Sequence, residues 1–255
     1  MVTDADLVLA QRLADAAGAA IRPHFRALAA VETKADASPV TVADRAAEAA
    51  IRAMLARERP HDGVIGEEYG DDRPDAARVW VIDPIDGTRS FIAGRPIFGT
   101  LIALLDDGVP VLGVIDQCIG GDRWLGAAGR PTTLNGAPAR ARSRPLAAAH
   151  VATSSPHYFD PASHAAFDRV RAAAADTMYG GDCYNYGLLA SGHVDLVVES
   201  GLKLYDWAAL VPVVTGAGGV MTAWDGTPLR RGSDGRVVAA GDARLLAEAV
   251  ALLAG

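Results

Sequence analysis

The sequence predicts an α/β protein in which helices pack on β-sheets. Three observations carry this. The first residues repeat apolar side chains at helical spacing. The runs Val79–Ile82, Gly99–Leu105 and Val109–Gln117 read as strands, and the latter half of the chain alternates strand-like and helix-like segments.

From Thr3, the positions Leu7, Ala10, Leu13, Ala17, Ile21 and Phe25 recur every three or four residues, with Asp and Arg between them. That pattern is an amphipathic helix begun by a Thr or Asp cap. A second helix opens near Thr41, runs through Asp44, Ala47, Ile51, Met54 and Leu55, and ends before Pro60. The intervening Lys34–Asp44 stretch reads as a polar loop, with Asp44 in the first turn of the second helix, where an acid is favourable. The strands that follow read as antiparallel sheet, because Asp106-Asp107-Gly108 is a strong hairpin turn. Arg123–Ala128 adds a short strand. Gly129 to Pro145, rich in Gly, Pro, Thr and Arg, is the expected lobe boundary, giving lobes over 1–145 and 146–255.

The second lobe should contain strands at Ala149–Thr153, Asp195–Glu199 and Val220–Ala223, and helices near Pro161–Ala174, Tyr184–Ser191 and from Asp206. Pro212 conflicts with an unbroken last helix, since it cannot donate to the carbonyl of Ala208, so a kink or a shorter first segment is expected. Gly216-Ala217-Gly218-Gly219 follows a helix rather than a strand. It reads as a helix stop, not a dinucleotide fingerprint.

With 255 residues, half of them apolar, the chain can bury a substantial core as one large domain or two intimate lobes. A net charge of −7 and the absence of a Lys/Arg stripe argue against a nucleic-acid partner. Cys118 and Cys183 are too few for a disulfide framework, which points to a reducing compartment. The acidic start lacks the pattern of a signal peptide, and no run approaches the ~20 apolar residues of a membrane span. A cytoplasmic protein without membrane contact is expected.

The richest segment is Val79-Trp80-Val81-Ile82-Asp83-Pro84-Ile85-Asp86-Gly87-Thr88. An apolar strand ends on two carboxylates three apart, bent together by Pro84 and released by Gly87. Hard cations take such oxygens, and Gly87-Thr88 offers N–H groups and a hydroxyl to a phosphate. A plain strand-to-turn junction uses the same residues. Ile65-Gly66-Glu67-Glu68 ends another apolar run, and Asp206 lies where a helix begins, a place where Asp also serves as an N-cap. The six histidines are dispersed without zinc-binding spacing, and His157 is a candidate for the substrate mouth.

The Gly-Glu-Glu run, Asp-Pro-Ile-Asp-Gly-Thr, and Asp206 followed by Ala217-Gly218-Gly219 together resemble the inositol monophosphatase-like, magnesium-dependent, lithium-sensitive phosphatases, over about Lys34 through Pro228. The family's Trp-Asp is here Tyr205-Asp206-Trp207, which keeps the acid and moves the aromatic. The resemblance implies a layered αβαβα fold, antiparallel in the first lobe and mixed in the second, and a homodimer. It implies two or three Mg²⁺ per active site: Glu67, Asp83 and the Ile85 carbonyl at the first, Asp83, Asp86 and Asp206 at the second, Asp44 and Glu67 at a weaker third. A metal-activated water oriented by Thr88 and Glu67 would attack, with phosphate on the Gly87 and Thr88 N–H groups and no covalent intermediate.

Gly181 to Glu199 is similar to the histidinol-phosphatase branch, which implies hydrolysis of L-histidinol phosphate in histidine biosynthesis. Asp182 and Glu199 would then read the non-phosphate end of the substrate. Inositol monophosphatase is the alternative, with fructose bisphosphatase and nucleotide 3′-phosphatase behind it. A non-catalytic regulatory protein is the alternative of another class, against which the complete Glu67, Asp83, Asp86, Thr88 and Asp206 set argues.

Overall fold

Thr3 opens the first helix, α1 (Asp4–Ile21), through a capping box: its hydroxyl accepts the Asp6 N–H and the Asp6 carboxylate accepts the Thr3 N–H. The face formed by Leu9, Leu13, Ala17 and Ile21 is buried. The computed structural model describes residues 2–27, 31–33 and 39–255. The polar loop expected from Lys34 lies, over residues 34–38, outside them. A short antiparallel pair, β1 (Val31–Thr33) and β2 (Pro39–Thr41), precedes α2 (Val42–Glu58), which Thr41 and Asp44 open with the same capping box.

The next strands are β3 (Gly63–Gly66), β4 (Gly70–Asp72) and β5 (Arg78–Asp86), then the single-turn α3 (Thr88–Ile92). After it come β6 (Gly99–Asp106), β7 (Val109–Gln117), β8 (Asp122–Ala127), β9 (Arg130–Leu134) and β10 (Ala137–Pro138). All but α3 join one eight-stranded sheet in the order β10-β9-β8-β7-β6-β5-β3-β4. The β6–β7 hairpin turns at Asp107 and Gly108, both with positive φ, as the sequence predicts. Two expectations change. The sheet is not wholly antiparallel, because β3 runs parallel to β5. The Gly- and Pro-rich 129–145 segment is not a bare connector, since it supplies β9 and β10, and the change of sheet comes between Pro138 and His150.

The remaining elements are β11 (His150–Thr153), α4 (Pro161–Ala173), β12 (Asp176–Tyr179), α5 (Tyr184–Ala190), β13 (Leu196–Glu199), α6 (Leu204–Trp207), α7 (Leu210–Gly216), β14 (Val220–Ala223), β15 (Val237–Ala240) and α8 (Ala243–Ala254). The second sheet is mixed, in the order β12-β11-β13-β15-β14, with β11 parallel to both its neighbours and β15 antiparallel to its own. The helix expected from Asp206 is broken as Pro212 requires. α6 ends at Trp207, and Pro212 falls in the first turn of α7, where its missing N–H costs nothing. Gly218, at φ +91°, stops the chain after α7 as expected, its N–H and that of Gly219 donating to Thr215 and Val214.

Three apolar cores fill the spaces between five layers. Leu13, Ile51, Trp80 and Ile102 join α1 and α2 to the first sheet. Leu101, Trp124, Leu189, Val213 and Val197 join that sheet through α5–α7 to the second. Phe167, Val198, Trp224 and Leu245 join the second sheet to α4 and α8. The order is αβαβα, as the resemblance implies.

The middle layer sits close to the first sheet because two strand positions lack a side chain. A Cβ on Gly113 would lie 1.9 Å from the Ala209 carbonyl oxygen, and one on Gly126 would lie 2.3 Å from that of Pro212. Gly113→Ala should therefore destabilise the protein by roughly 1–3 kcal/mol or more in urea unfolding, and lower activity by displacing Asp206. An unchanged unfolding midpoint would show that the layers do not meet there.

Candidate active site

Pro84 creates the site's geometry. Between Asp83, opposite Leu101, and Asp86, opposite Gly99, strand β5 carries one residue more than β6, and the Thr100 hydroxyl donates to the Pro84 carbonyl at 2.8 Å. Pro can occupy such a bulge because it has no N–H to lose from the ladder. Side chains three apart on a regular strand point to opposite faces. The extra residue turns Asp86 back to the face of Asp83, while Ile85 packs under α1 and α2.

The parallel neighbour brings Glu67 beside them. Gly66 pairs with Ile82 and the Glu67 N–H donates to the Ile82 carbonyl, so Glu67 is level with Asp83. Glu48, fully buried on α2, accepts the Glu68 N–H at 2.8 Å and the Tyr69 N–H at 3.2 Å, which fixes this turn. Gly66 is required there: a Cβ would lie 2.0 Å from Glu48 Oε1. Asp206 arrives from the middle layer. Its position differs from the expected helix opening, for Lys203 is the N-cap and Asp206 is the third helical residue.

One carboxylate oxygen each from Asp83, Asp86 and Asp206 lie within 4.8 Å of one another. Each also has an oxygen accepting a backbone N–H: Asp83 from Ile85 at 3.0 Å, Asp86 from Cys183 at 2.6 Å, Asp206 from Lys203 at 2.6 Å. Asp44 is held the same way by Thr41, and its Oδ1, fully buried, has no partner among the described residues. Asp44 is thus both a helix cap and an acid with one oxygen to give. A buried acceptor without a donor is costly, and convergent carboxylates suit a hard divalent cation. The residues present therefore fit metal ions, with Asp83, Asp86 and Asp206 as one set and Asp44 near Glu67 as a further position.

The charges bear this out. Burial, with Glu67, Asp86 and Asp206 beside it, holds the Asp83 carboxyl well above the usual carboxylate range. Burial, Asp182 and Asp206 do the same to Asp86. Burial lifts Asp206 to about 7 against the Lys203 N–H, with Glu67 and Asp182 adding to the rise.

Gly87, at φ +86°, opens α3, and the Thr88 hydroxyl donates to the Ile85 carbonyl at 3.1 Å. Glu67, Asp83, Ile85, Asp86, Gly87, Thr88, Asp182 and Asp206 line one cleft of about 300 Å³. Arg89 and Arg95 are its cationic lining residues. A second chamber of about 270 Å³ shares Asp86, Asp182 and Asp206 and continues to Glu199, Tyr186 and Leu202, with no Lys or Arg among the described residues that line it. Asp182 accepts from Ser90 Oγ at 3.2 Å, and a Cβ on Gly87 would lie 2.6 Å from its Oδ2. Glu199 accepts from the Ser154 N–H at 2.6 Å and Oγ at 2.7 Å, and burial raises its carboxyl to about 7.

His157 is exposed and lines neither chamber. The next residue, Tyr158, lines both, with the Arg89 guanidinium 5.5 Å from its ring centre. The 3-10 turn of Pro156–Tyr158 explains the exchange, since adjacent side chains leave it in different directions. Arg95, Ser154, Tyr158, Tyr186 and Glu48 were not legible as site residues. Only Glu48 left a signal: with Asp44 it places two acids, four apart, on the buried face of α2.

These raised pKa values set the pH dependence of the metal-free protein. Between an ordinary carboxylate value of 3.8 and about 7, folded Asp206 binds more proton than the unfolded chain does, and Asp83 and Asp86 shift in the same direction. Stability must fall as pH rises through that window. In chelator, Tm should drop between about pH 5.5 and pH 8, and a divalent cation should restore more at the upper pH because it replaces the missing protons. A Tm independent of pH and cation would contradict this arrangement.

The chain matches the model of the inositol monophosphatase family over residues 4–254. It is 52% identical over 217 residues to the bifunctional phosphatase IMPL2, chloroplastic, of Arabidopsis thaliana, covering 84% of this chain and 63% of that longer protein. It is 42% identical over 232 residues to a histidinol-phosphatase of Mycobacterium tuberculosis, covering 87% of this chain and 88% of the relative. Among solved structures, an inositol monophosphatase from Zymomonas mobilis superposes with a TM-score of 0.93 at 54% identity, covering all of both chains. With this match across the chain and these relatives, the protein whose acidic cleft is described above belongs to the inositol monophosphatase family.

Proposed function

We propose that the protein is a Mg²⁺-dependent phosphomonoesterase that hydrolyses L-histidinol phosphate to L-histidinol and phosphate in histidine biosynthesis, acting in the cytoplasm as a homodimer. The observation that carries the substrate is the pair of chambers. The first joins carboxylates to Arg89 and Arg95, as a metal-bridged phosphate needs. The second offers Asp182 and Glu199 and, among the described residues, no cationic side chain. An ammonium and an imidazole suit such a chamber, whereas inositol offers neutral hydroxyls. The 42% identical histidinol-phosphatase supports this reading. The second reading, hydrolysis of inositol phosphate, is favoured by the solved inositol monophosphatase at 54% identity.

Bound Mg²⁺ would neutralise the phosphoryl oxygens and acidify a water. Glu67, Asp83, Asp86, Asp206 and the Ile85 carbonyl would hold it, with Asp44 at the weaker position. Thr88 spends its hydroxyl proton on the Ile85 carbonyl, which leaves its oxygen to accept a hydrogen bond from the attacking water. Glu67 takes the other proton. The Gly87 and Thr88 N–H groups steady the phosphate while the new P–O bond forms and the ester P–O bond breaks, and the departing alkoxide takes a proton from solvent at the cleft mouth. Asp182 and Glu199 hold the alcohol.

Asp86→Asn should leave the fold intact and lower Mg²⁺-dependent phosphate release by about two orders of magnitude or more, since an amide binds a cation far less well than a carboxylate. Near wild-type turnover would reduce Asp86 to a turn residue. Asp182→Asn and Glu199→Gln should raise KM for histidinol phosphate by roughly tenfold, because a hydrogen bond to a charged group contributes about 1.5–3 kcal/mol, and should leave Mg²⁺ activation near normal. Equal losses on histidinol phosphate and inositol 1-phosphate would favour the inositol reading.

A further inference from the structure

The second chamber contains a buried phenol, Tyr186, that the proposed mechanism does not use. Tyr186, on α5, is 2% exposed, and its buried hydroxyl has no hydrogen-bond partner among the described residues. Its neighbouring acids are Glu199, Asp86 and Asp206, all of which line the chamber with it. A buried hydroxyl among acceptors that it does not reach is unfavourable unless something else receives its proton. Cys183 Sγ, the near thiol, is at most a weak partner.

Glu199 is incompletely used as well. Its Oε1 accepts twice from Ser154, but Oε2 accepts only from the Thr153 hydroxyl, at 3.3 Å. A carboxylate has about four acceptor positions, so Oε2 can take one more donor. The lining therefore includes an unspent donor, the Tyr186 hydroxyl, and spare acceptor capacity on Glu199 Oε2, with Leu202 and Leu210 as apolar wall. A neutral imidazole is complementary to that pair, having one N–H, one bare nitrogen and two flat apolar faces. Inositol hydroxyls each donate and accept, and would not need the two roles kept apart.

We propose that Tyr186 is a specificity-determining residue that reads the imidazole ring of the substrate, its Oη–H donating to the bare ring nitrogen while Glu199 Oε2 accepts the ring N–H. This rests on the histidinol phosphate reading and leaves Asp182 for the ammonium.

The test is Tyr186→Phe, assayed at about pH 8, where an imidazole of ordinary pKa near 6.5 is neutral. Two substrates are compared: histidinol phosphate, and phosphoethanolamine, which has the ammonium but no ring. The expected result is a roughly tenfold rise in KM for histidinol phosphate, a change below about twofold for phosphoethanolamine, and a Tm no lower than wild type, because the hydroxyl removed has no partner in the free protein. Equal losses on both esters, or a fall in Tm, would make the hydroxyl a support of the site and overturn the assignment. So would an unchanged KM for histidinol phosphate. Absence of wild-type turnover of histidinol phosphate would overturn the substrate reading and this inference together, whereas wild-type turnover indifferent to Tyr186 would overturn only the inference.

Discussion

The structure depends on keeping negative charge together where proteins ordinarily keep it apart. Asp83, Asp86 and Asp206 bring oxygens within 4.8 Å of one another, and among the described residues no Lys or Arg forms an ion pair with them. Burial and mutual repulsion raise all three pKa values. The fold tolerates this through one repeated device: each Asp, and Asp44 as well, accepts a backbone N–H on one carboxylate oxygen. The N–H bonds fix the rotamers before any cation arrives, so binding energy is not spent on ordering them.

The acidic cluster needs three separate pieces of backbone to meet. The bulge at Pro84 puts two acids of one strand on one face, and the parallel β3–β5 pairing adds Glu67 at the same level. Asp206 must come from the middle layer, which reaches the sheet only because Gly113 and Gly126 have no side chains in its way. The αβαβα layering is therefore more than a container. Its close middle layer is what completes the acidic cluster.

The same cluster divides the cleft. On one side Arg89 and Arg95 join the carboxylates; on the other, Asp182, Glu199 and Tyr186 line a chamber that has no cationic side chain among the described residues. Ser154 stands at the junction, lining both chambers and holding Glu199 with its N–H and hydroxyl. In the proposed reading, the phosphate chemistry and the choice of alcohol lie on opposite sides of the shared acids Asp86, Asp182 and Asp206.

Local periodicity and cap chemistry determined much of the fold. Thr3 and Thr41 open their helices where the sequence places them, the Asp107-Gly108 turn forms its hairpin, and Pro212 breaks the last middle-layer helix. These features act over a few residues, so the sequence displays them directly. The acids at Glu67, Asp83, Asp86 and Asp206 were legible as short runs at the ends of apolar segments. Tertiary structure decided the rest. That β3 runs parallel to β5 and that 129–145 contributes strands to the first sheet follow from contacts between distant segments. Tyr186 and Glu48 are ordinary helix residues in the sequence. Only folding sets one beside Glu199 and the other under the Gly-Glu-Glu turn, because burial and hydrogen-bond partners are properties of the assembled layers, not of any one segment.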